Sequence, residues 1–259
     1  EIVRLLFERL NLSGEYQRAQ IVSKDVKASS IVGEIGVWTN KRDYNKVAML
    51  LAELEQYISL ESPINKQYKE QFESRIKSGC GLISKEESKQ SFRKILEYTI
   101  PFEAIAKGKE KYLTNVEMQC LLNISICIGN SRENTAFDIL LELCKQLEED
   151  EGILEHIAVW ETIMTNVANI YGDRGEYDLS DAISMKTMKM CVYCYRIRLI
   201  DMHLYINLWN YAERKKKNIP AKQGYQEELY LKRCITLCQI NKNNERATKL
   251  KVRLSKLIL

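Results

Sequence analysis

Proline, glycine and histidine are scarce in this chain. Its 259 residues include three prolines, eleven glycines and two histidines. So few turn-forming residues argue against a β-sandwich or barrel, which needs many tight turns. No apolar run approaches the ~20 residues that cross a bilayer. The first ten residues, EIVRLLFERL, place charges at helical spacing, unlike a signal peptide. The sequence therefore predicts a cytoplasmic protein with no membrane partner.

Residues that perform catalysis or bind metals lack the spacing those functions need. Neither histidine has a carboxylate or nucleophile at a recognisable distance, and no glycine-rich phosphate loop is present. Cys191 and Cys194 form a C-x-x-C inside a predicted helix, whereas thioredoxin-like chemistry needs the first cysteine at a helix N-terminus. A zinc site would need a second pair, for which Cys234 and Cys238 are the candidates. Buried packing of reduced cysteines fits these apolar segments better, so we expect no enzyme activity, metal or cofactor.

Charge is abundant but spread along the chain. The 39 basic and 35 acidic residues leave a net charge of +4, and the densest basic run is Arg214–Lys217. Cations are favourable at a helix C-terminus, so a solvated helix end is the favoured interpretation of this run. A contact with phosphate or an acidic partner is the alternative. We expect this chain alone not to bind DNA specifically, and any residual binding to be weak and to vanish with salt.

Helix starts are clearly marked in the sequence. Ser84 with Glu87, and Thr114 with Glu117, have the spacing of capping boxes. Ser62 precedes Pro63, which pairs an N-cap with proline at the first helical position. Three glycines follow apolar-periodic runs, where a left-handed residue closes a helix: Gly129, Gly172 and Gly175.

Apolar residues between these marks recur at steps of three and four, with no sustained period of two. This pattern predicts an all-α chain. The predicted helices cover 1–10, 23–39, 43–58, 63–78, 85–98, 115–128, 134–149, 153–171, 179–197, 200–217, 224–240 and 244–257.

The helices pair, and the pairs repeat. Asn123, Asn166 and Asn207 occupy matching places in successive first helices, at offsets of 43 (166 − 123) and 41 (207 − 166) residues. Periods of this size indicate stacked helical hairpins.

One repeat, NVANIYGDRGEYDLSDAI, resembles a tetratricopeptide repeat. Its small, turn and aromatic positions are Ala168, Tyr171, Gly175, Tyr177 and Ser180. The segment Trp38–Leu54 has the same outline, with Tyr44 matching Tyr177 and Arg42 in place of the glycine. In the repeat around Asn123, Arg132 and Asn134 replace the glycine and tyrosine. The resemblance implies a right-handed solenoid of antiparallel helix pairs.

The order of segments is similar to the C-terminal sensor region of Rgg/PlcR-type regulators (the RRNPP group). It runs from LLFERLNLSGEY through LAELEQYISLESPINKQY, ISKEESKQSFRKILEYTIPF and LTNVEMQCLLNISI to the GDRGEY repeat. The resemblance implies one tetratricopeptide-like domain over 1–259. Its parts would be a leading helix and linker (1–22), degenerate hairpins (23–217) and C-terminal capping helices (218–259).

In that family the array binds a short signalling peptide in quorum sensing, and an N-terminal helix-turn-helix domain binds DNA. The resemblance therefore implies an intracellular peptide-sensing domain of a homodimeric transcriptional regulator. The DNA-binding domain is not in this sequence, and DNA is expected as a partner only through it. The alternative is a stand-alone tetratricopeptide scaffold or co-chaperone that docks another protein's tail, usually with several Lys or Arg side chains.

Asparagines recur on the first helices as two N-x-x-N pairs. Asparagine is a poor residue inside a helix because its side chain competes for backbone hydrogen bonds. An amide offers both a donor and an acceptor to a peptide backbone. We therefore predict a peptide-binding groove, with solvent-facing residues of no function as the alternative. The predicted groove residues are Asn123, Asn166, Asn169, Asn207, Asn210, Gln119, Thr162, His203 and Arg214.

Overall fold

The computed structural model describes residues 21–258 except 24, 109–112, 130, 132, 150–152, 197–198 and 222–223. Within these residues it contains twelve α-helices and no strand, which confirms the predicted all-α class. The helices are α1 (Val26–Asn40), α2 (Tyr44–Leu54), α3 (Pro63–Gly79), α4 (Lys85–Leu96), α5 (Phe102–Ala106), α6 (Asn115–Ile128), α7 (Thr135–Glu149), α8 (Ile153–Asp173), α9 (Tyr177–Tyr193), α10 (Ile200–Lys216), α11 (Glu227–Ile240) and α12 (Asn244–Ile258).

Most predicted helices lie within three residues of an observed one. The predicted helix over 1–10 lies outside the described residues. Helix α5 was not predicted, because its five residues are too few for a periodic pattern and Pro101 precedes it. Helix α9 ends four residues before the predicted boundary, since Tyr195 adopts a left-handed backbone with φ 54°.

The predicted caps explain where several helices begin. Both capping boxes form: Ser84 and Thr114 each accept from a backbone N–H while the glutamate three residues later accepts in return. Ser62 is the N-cap of α3 with Pro63 following, but its side chain makes no capping hydrogen bond. Backbone donors at a helix start have no partner inside the helix, so these boxes fix the first turns of α4 and α6.

One turn ends six of the described helices, and after three of them the next helix begins within four residues. Arg42, Gly175 and Lys242 all adopt left-handed backbones, with φ of 59°, 79° and 57°. In each turn the next residue's N–H bonds back to a carbonyl five residues earlier, as in a Schellman motif. Arg42 and Gly175 thus share a backbone conformation that also occurs at Gly81, Tyr195 and Asn218, and the predicted repeat stays a prediction.

Gly172 does not close its helix, and that prediction is wrong. It lies inside α8, which continues to Asp173. A Cβ at this position would lie 2.9 Å from Asn210 Oδ1 and 3.1 Å from Trp209, so close packing requires the glycine.

The chain divides into two compact units, Glu1–Val159 and Trp160–Leu259. In the first unit consecutive helices pack from α1 to α4, and α6 lies against α3, α4 and α7. Its fully buried side chains include Tyr68, Phe92, Leu96, Leu121 and Phe137. The predicted single domain over 1–259 and its subdivisions stay predictions.

In the second unit α9, α10, α11 and α12 pack in order. The end of α8 joins them, since Ser180 Oγ on α9 donates to the Ala168 carbonyl at 2.7 Å. An apolar core lies between α10, α11 and α12; it includes Leu204, Leu208, Leu231 and Leu250. No helix among the described residues is long and apolar enough to cross a membrane.

Candidate functional site

The predicted groove residues of α10 are buried in the second unit. His203, Asn207, Asn210 and Arg214 follow one another at helical steps of three and four and share one face. All four have less than a tenth of their surface exposed. This face of α10 packs on α8 and α9, so the four side chains are buried rather than open to solvent, and their assignment to a peptide site stays a prediction.

His203 joins α10 to α8. Its Nε2 lies 3.0 Å from Thr165 Oγ1, and Thr165 also donates to the Glu161 carbonyl. Burial lowers the pKa of His203 to about 4, against a smaller opposite effect of Asp201. A neutral imidazole that packs between two helices offers little to an incoming peptide.

Asn210 and Arg214 join α10 to α9. The Asn210 amide donates to Ser180 Oγ at 2.9 Å and to Asp181 Oδ1 at 2.7 Å. Arg214 donates to Asp178 at 2.7 Å and lies over the Tyr177 ring. The α9 partners were not among the predicted site residues. Ser180 matches only the small position of the repeat, and nothing local links Asp178 and Asp181 to residues about 30 positions later.

The packing between α9 and α10 leaves polar atoms unpaired. Among the described residues, Ser184 Oγ, Asn207 Oδ1, Asn210 Oδ1 and Arg214 Nε are buried with no hydrogen-bond partner. Each such group costs about 1–3 kcal/mol relative to a paired one. This face of α10 is therefore polar although it lies inside the second unit. For that reason its residue types are those of a solvent-exposed surface.

The predicted groove residues of α8 are more exposed than those of α10. Thr162, Asn166 and Asn169 follow one stripe of the helix and are all half-buried. The Asn166 Nδ2 donates to the Thr162 carbonyl one turn earlier, at 2.8 Å. Since that bond uses one N–H, it fixes the amide plane and leaves the Oδ1 of Asn166 without a bond among the described residues.

The same arrangement recurs on α6 in the first unit. Asn123 is half-buried, and its Nδ2 donates to the Gln119 carbonyl at 2.7 Å. The Gln119 side chain itself accepts from Gln71 Nε2 on α3 at 3.0 Å. Asn123 and Asn166, 43 residues apart (166 − 123), therefore make the same hydrogen bond to the carbonyl four residues earlier.

A buried carboxylate in the second unit was not predicted. Glu161 on α8 is fully buried; it accepts from Arg196 Nε at 3.3 Å and from the Cys191 thiol at 3.4 Å. Burial, and secondarily Glu161, raises the pKa of Cys191 to about 12. This raised pKa makes the C-x-x-C a poor nucleophile, because the thiolate is the reactive form.

Cysteines in the described chain are free thiols, and five of the eight are buried. No group of three His, Cys, Asp or Glu side chains in the described residues is placed to hold a metal ion.

The residues of the predicted basic run differ in exposure. Arg214 is buried in ion pairs, whereas Lys215, Lys216 and Lys217 are exposed at the C-terminus of α10.

Comparison with known proteins gives no family. No protein-family profile, no curated protein and no solved structure matches this sequence. The similarity to Rgg/PlcR-type sensors stays a prediction from the residues quoted above.

Proposed function

We propose that this chain is a peptide-binding domain whose helical hairpins form a right-handed, tetratricopeptide-like solenoid. Its ligand is a short peptide or a protein tail in extended form, bound through the peptide backbone. In the second unit the proposed binding residues are Thr162, Asn166 and Asn169 of α8, and in the first unit the proposed binding residue is Asn123, each acting within its own unit.

One observation carries this proposal: Asn123 and Asn166 make the same side-chain hydrogen bond on two helices. Each Nδ2 bonds to a carbonyl of its own helix, at 2.7 and 2.8 Å. This hydrogen bond already fixes the orientation of each Oδ1. Binding a peptide there therefore costs less side-chain entropy than binding to a freely rotating amide. An extended peptide presents N–H donors to such acceptors.

Thr162 and Asn169 extend this surface along α8 in the second unit. They lie one turn on either side of Asn166 and are half-buried like it. A strip of polar side chains at helical spacing can contact successive peptide groups, whereas His203, Asn207, Asn210 and Arg214 stabilise the second unit.

The biological role that we propose follows the resemblance to Rgg/PlcR-type sensors. Peptide binding would regulate transcription through a DNA-binding domain, in a homodimer. The alternative, a scaffold that clamps a carboxylate tail, needs available cations. Arg214, the one predicted groove cation, already pairs with Asp178 and Asp181, which disfavours this alternative.

The test is calorimetric titration of a library-selected peptide into the full chain and into Asn166→Ala and Asn123→Ala. Loss of one hydrogen bond is expected to weaken binding by about 0.5–1.5 kcal/mol, roughly 2- to 12-fold. Both variants are expected to melt within about 2 °C of the parent, since a half-buried asparagine contributes little to helix stability.

Asn210→Ala is the matched control. Its amide holds α9 against α10, so it is expected to lower the melting temperature by several degrees. Unchanged affinity in both Asn166→Ala and Asn123→Ala, measured with a peptide that binds the parent, would refute the proposed site.

A further inference from the structure

Helix α3 in the first unit carries an arginine without an acidic partner. Arg75 is half-buried, yet it forms no ion pair or hydrogen bond with any other described residue. Three other arginines that are half-buried or buried all pair with carboxylates: Arg196, Arg214 and Arg253. A charge that leaves water is costly unless a partner compensates it. The described residues therefore leave the charge of Arg75 uncompensated.

The groups around Arg75 are not acids. Burial lowers the pKa of Arg75, and the smaller opposite effects come from Tyr44, Tyr68 and Cys120. Glu117 on α6 is a buried carboxylate of the same unit. It already accepts hydrogen bonds from a threonine hydroxyl and from the backbone N–H at the start of its helix. The Arg75 guanidinium is thus available to an external anion.

Two further polar atoms without a partner lie on the same face of α3. Tyr68 Oη and Gln71 Oε1 are buried and make no hydrogen bond. Tyr68, Gln71 and Arg75 follow helical steps of three and four, so their side chains are neighbours. The Phe72 ring joins the two ends of this set: its centroid lies 4.9 Å from that of the Tyr68 ring and 5.6 Å from the Arg75 guanidinium carbon.

The three groups offer two donors and one acceptor. Burial raises the pKa of Tyr68, so its hydroxyl keeps its proton and can donate. Gln71 Nε2 donates to Gln119 Oε1 on α6 at 3.0 Å, which fixes the amide and leaves Gln71 Oε1 as an acceptor. Buried polar groups in folded proteins are nearly always hydrogen-bonded, so an unpaired set of this kind indicates a missing partner.

We propose that Arg75, Tyr68 and Gln71 bind a carboxylate that has an N–H donor on the adjacent carbon. The guanidinium and the phenol donate to the carboxylate oxygens, and Gln71 Oε1 accepts from the N–H. A free amino acid and the C-terminal residue of a peptide both have this chemistry. Tyr68 and Gln71 are at most 1% exposed, so the ligand enters past the half-buried Arg75. The site needs no contact at Asn123 and can fail independently of the proposed function.

Ligand-observed NMR titration of the full chain tests the site with small probes. N-acetylglycine represents a peptide C-terminus, and glycine represents a free amino acid. One of them is expected to bind with a dissociation constant on the order of 1–10 mM, as suits so small a ligand. The tighter of the two identifies the source of the carboxylate. Absence of binding by both at about 100 mM would overturn the proposal.

Two analogues of N-acetylglycine separate the roles of the three groups. N-acetylglycinamide lacks the carboxylate and is expected not to bind. Propionate lacks the N–H and is expected to bind about 2- to 12-fold more weakly than the better probe, because Gln71 Oε1 then stays unpaired. Equal affinity for N-acetylglycinamide would overturn the assignment of Arg75, and equal affinity for propionate would overturn that of Gln71.

Variants distinguish a binding residue from a structural one. Arg75→Met is expected to weaken binding of the better probe at least about tenfold, since a charged hydrogen bond is lost. It is expected not to lower the melting temperature, because it removes an unpaired charge. Tyr68→Phe is expected to weaken binding about 2- to 12-fold, also without a lower melting temperature, because the deleted hydroxyl has no partner.

Arg93→Met is the matched control in the same unit. Arg93 also lies over a phenylalanine ring, that of Phe102, but it pairs with Glu103. We expect this variant to keep the affinity of the parent for the probe. Unchanged affinity in both Arg75→Met and Tyr68→Phe would overturn the site. A lower melting temperature in Arg75→Met with unchanged affinity would show that Arg75 has a structural role instead.

Discussion

Replacing Arg196 with methionine removes the ionic partner of a buried carboxylate. Glu161 is fully buried, whereas the Arg196 side chain is 32% exposed, and a single N–O distance of 3.3 Å joins them. Removing one partner of a buried ion pair typically costs 3–5 kcal/mol, because the other charge stays desolvated. The partial exposure of Arg196 and its single contact reduce the expected cost to about 2–3 kcal/mol.

The assay is urea unfolding followed by far-UV circular dichroism. Arg196→Met is compared with Arg93→Met, which breaks a shorter contact, 2.7 Å, to the exposed Glu103. We expect less than 1 kcal/mol for Arg93→Met, since exposed pairs contribute little. The shorter distance predicts the larger loss of stability for Arg93→Met, whereas burial predicts the larger loss for Arg196→Met. We expect burial to decide the order.

Glu161→Gln completes a double-mutant cycle. A neutral amide in the same place carries no desolvated charge, so the single variant is expected to unfold within about 1 kcal/mol of the parent. The variant with both substitutions is expected to recover most of the loss seen in Arg196→Met. Equal losses in Arg196→Met and Arg93→Met, or no recovery in the double variant, would refute this account of Glu161.

Two further predictions concern the packing of α10. The pKa of His203 is lowered to about 4, against about 6.5 in the unfolded chain, so the unfolded state binds the proton first as the pH falls. The corresponding stability is present above pH 6.5 and lost towards pH 4, by up to about 3 kcal/mol. His203→Gln is expected to remove that part of the pH dependence in urea titrations, and an unchanged slope would contradict it. Gly172→Ala is expected to lower the free energy of unfolding by about 1–2 kcal/mol, because the added Cβ would meet the Asn210 side chain. Two hydrogen bonds hold that amide in place, so it cannot move away easily. A melting temperature above that of the parent would contradict this steric argument.

Local sequence determined the helices of the described residues. The capping boxes at Ser84 and Thr114 and the three- to four-residue apolar period involve neighbours within one or two turns. Such interactions can be recognised without knowing the fold. The matching turns at Arg42 and Gly175 were also recognisable, because an aromatic residue follows each by two positions. Helix α5 was not, since five residues make less than two turns.

Tertiary structure alone decided which way the polar stripe of α10 points. Asparagine at a regular helical position has the same local signature whether it faces solvent or a neighbouring helix. Asn210 is buried because Ser180 and Asp181, about 30 residues earlier, lie opposite it, and Arg214 is buried because Asp178 does. Asn166, at the matching helical place, is half-buried on α8. Hydrogen bonds between distant residues depend on how helices pack, and packing is a property of the folded unit rather than of any window of sequence.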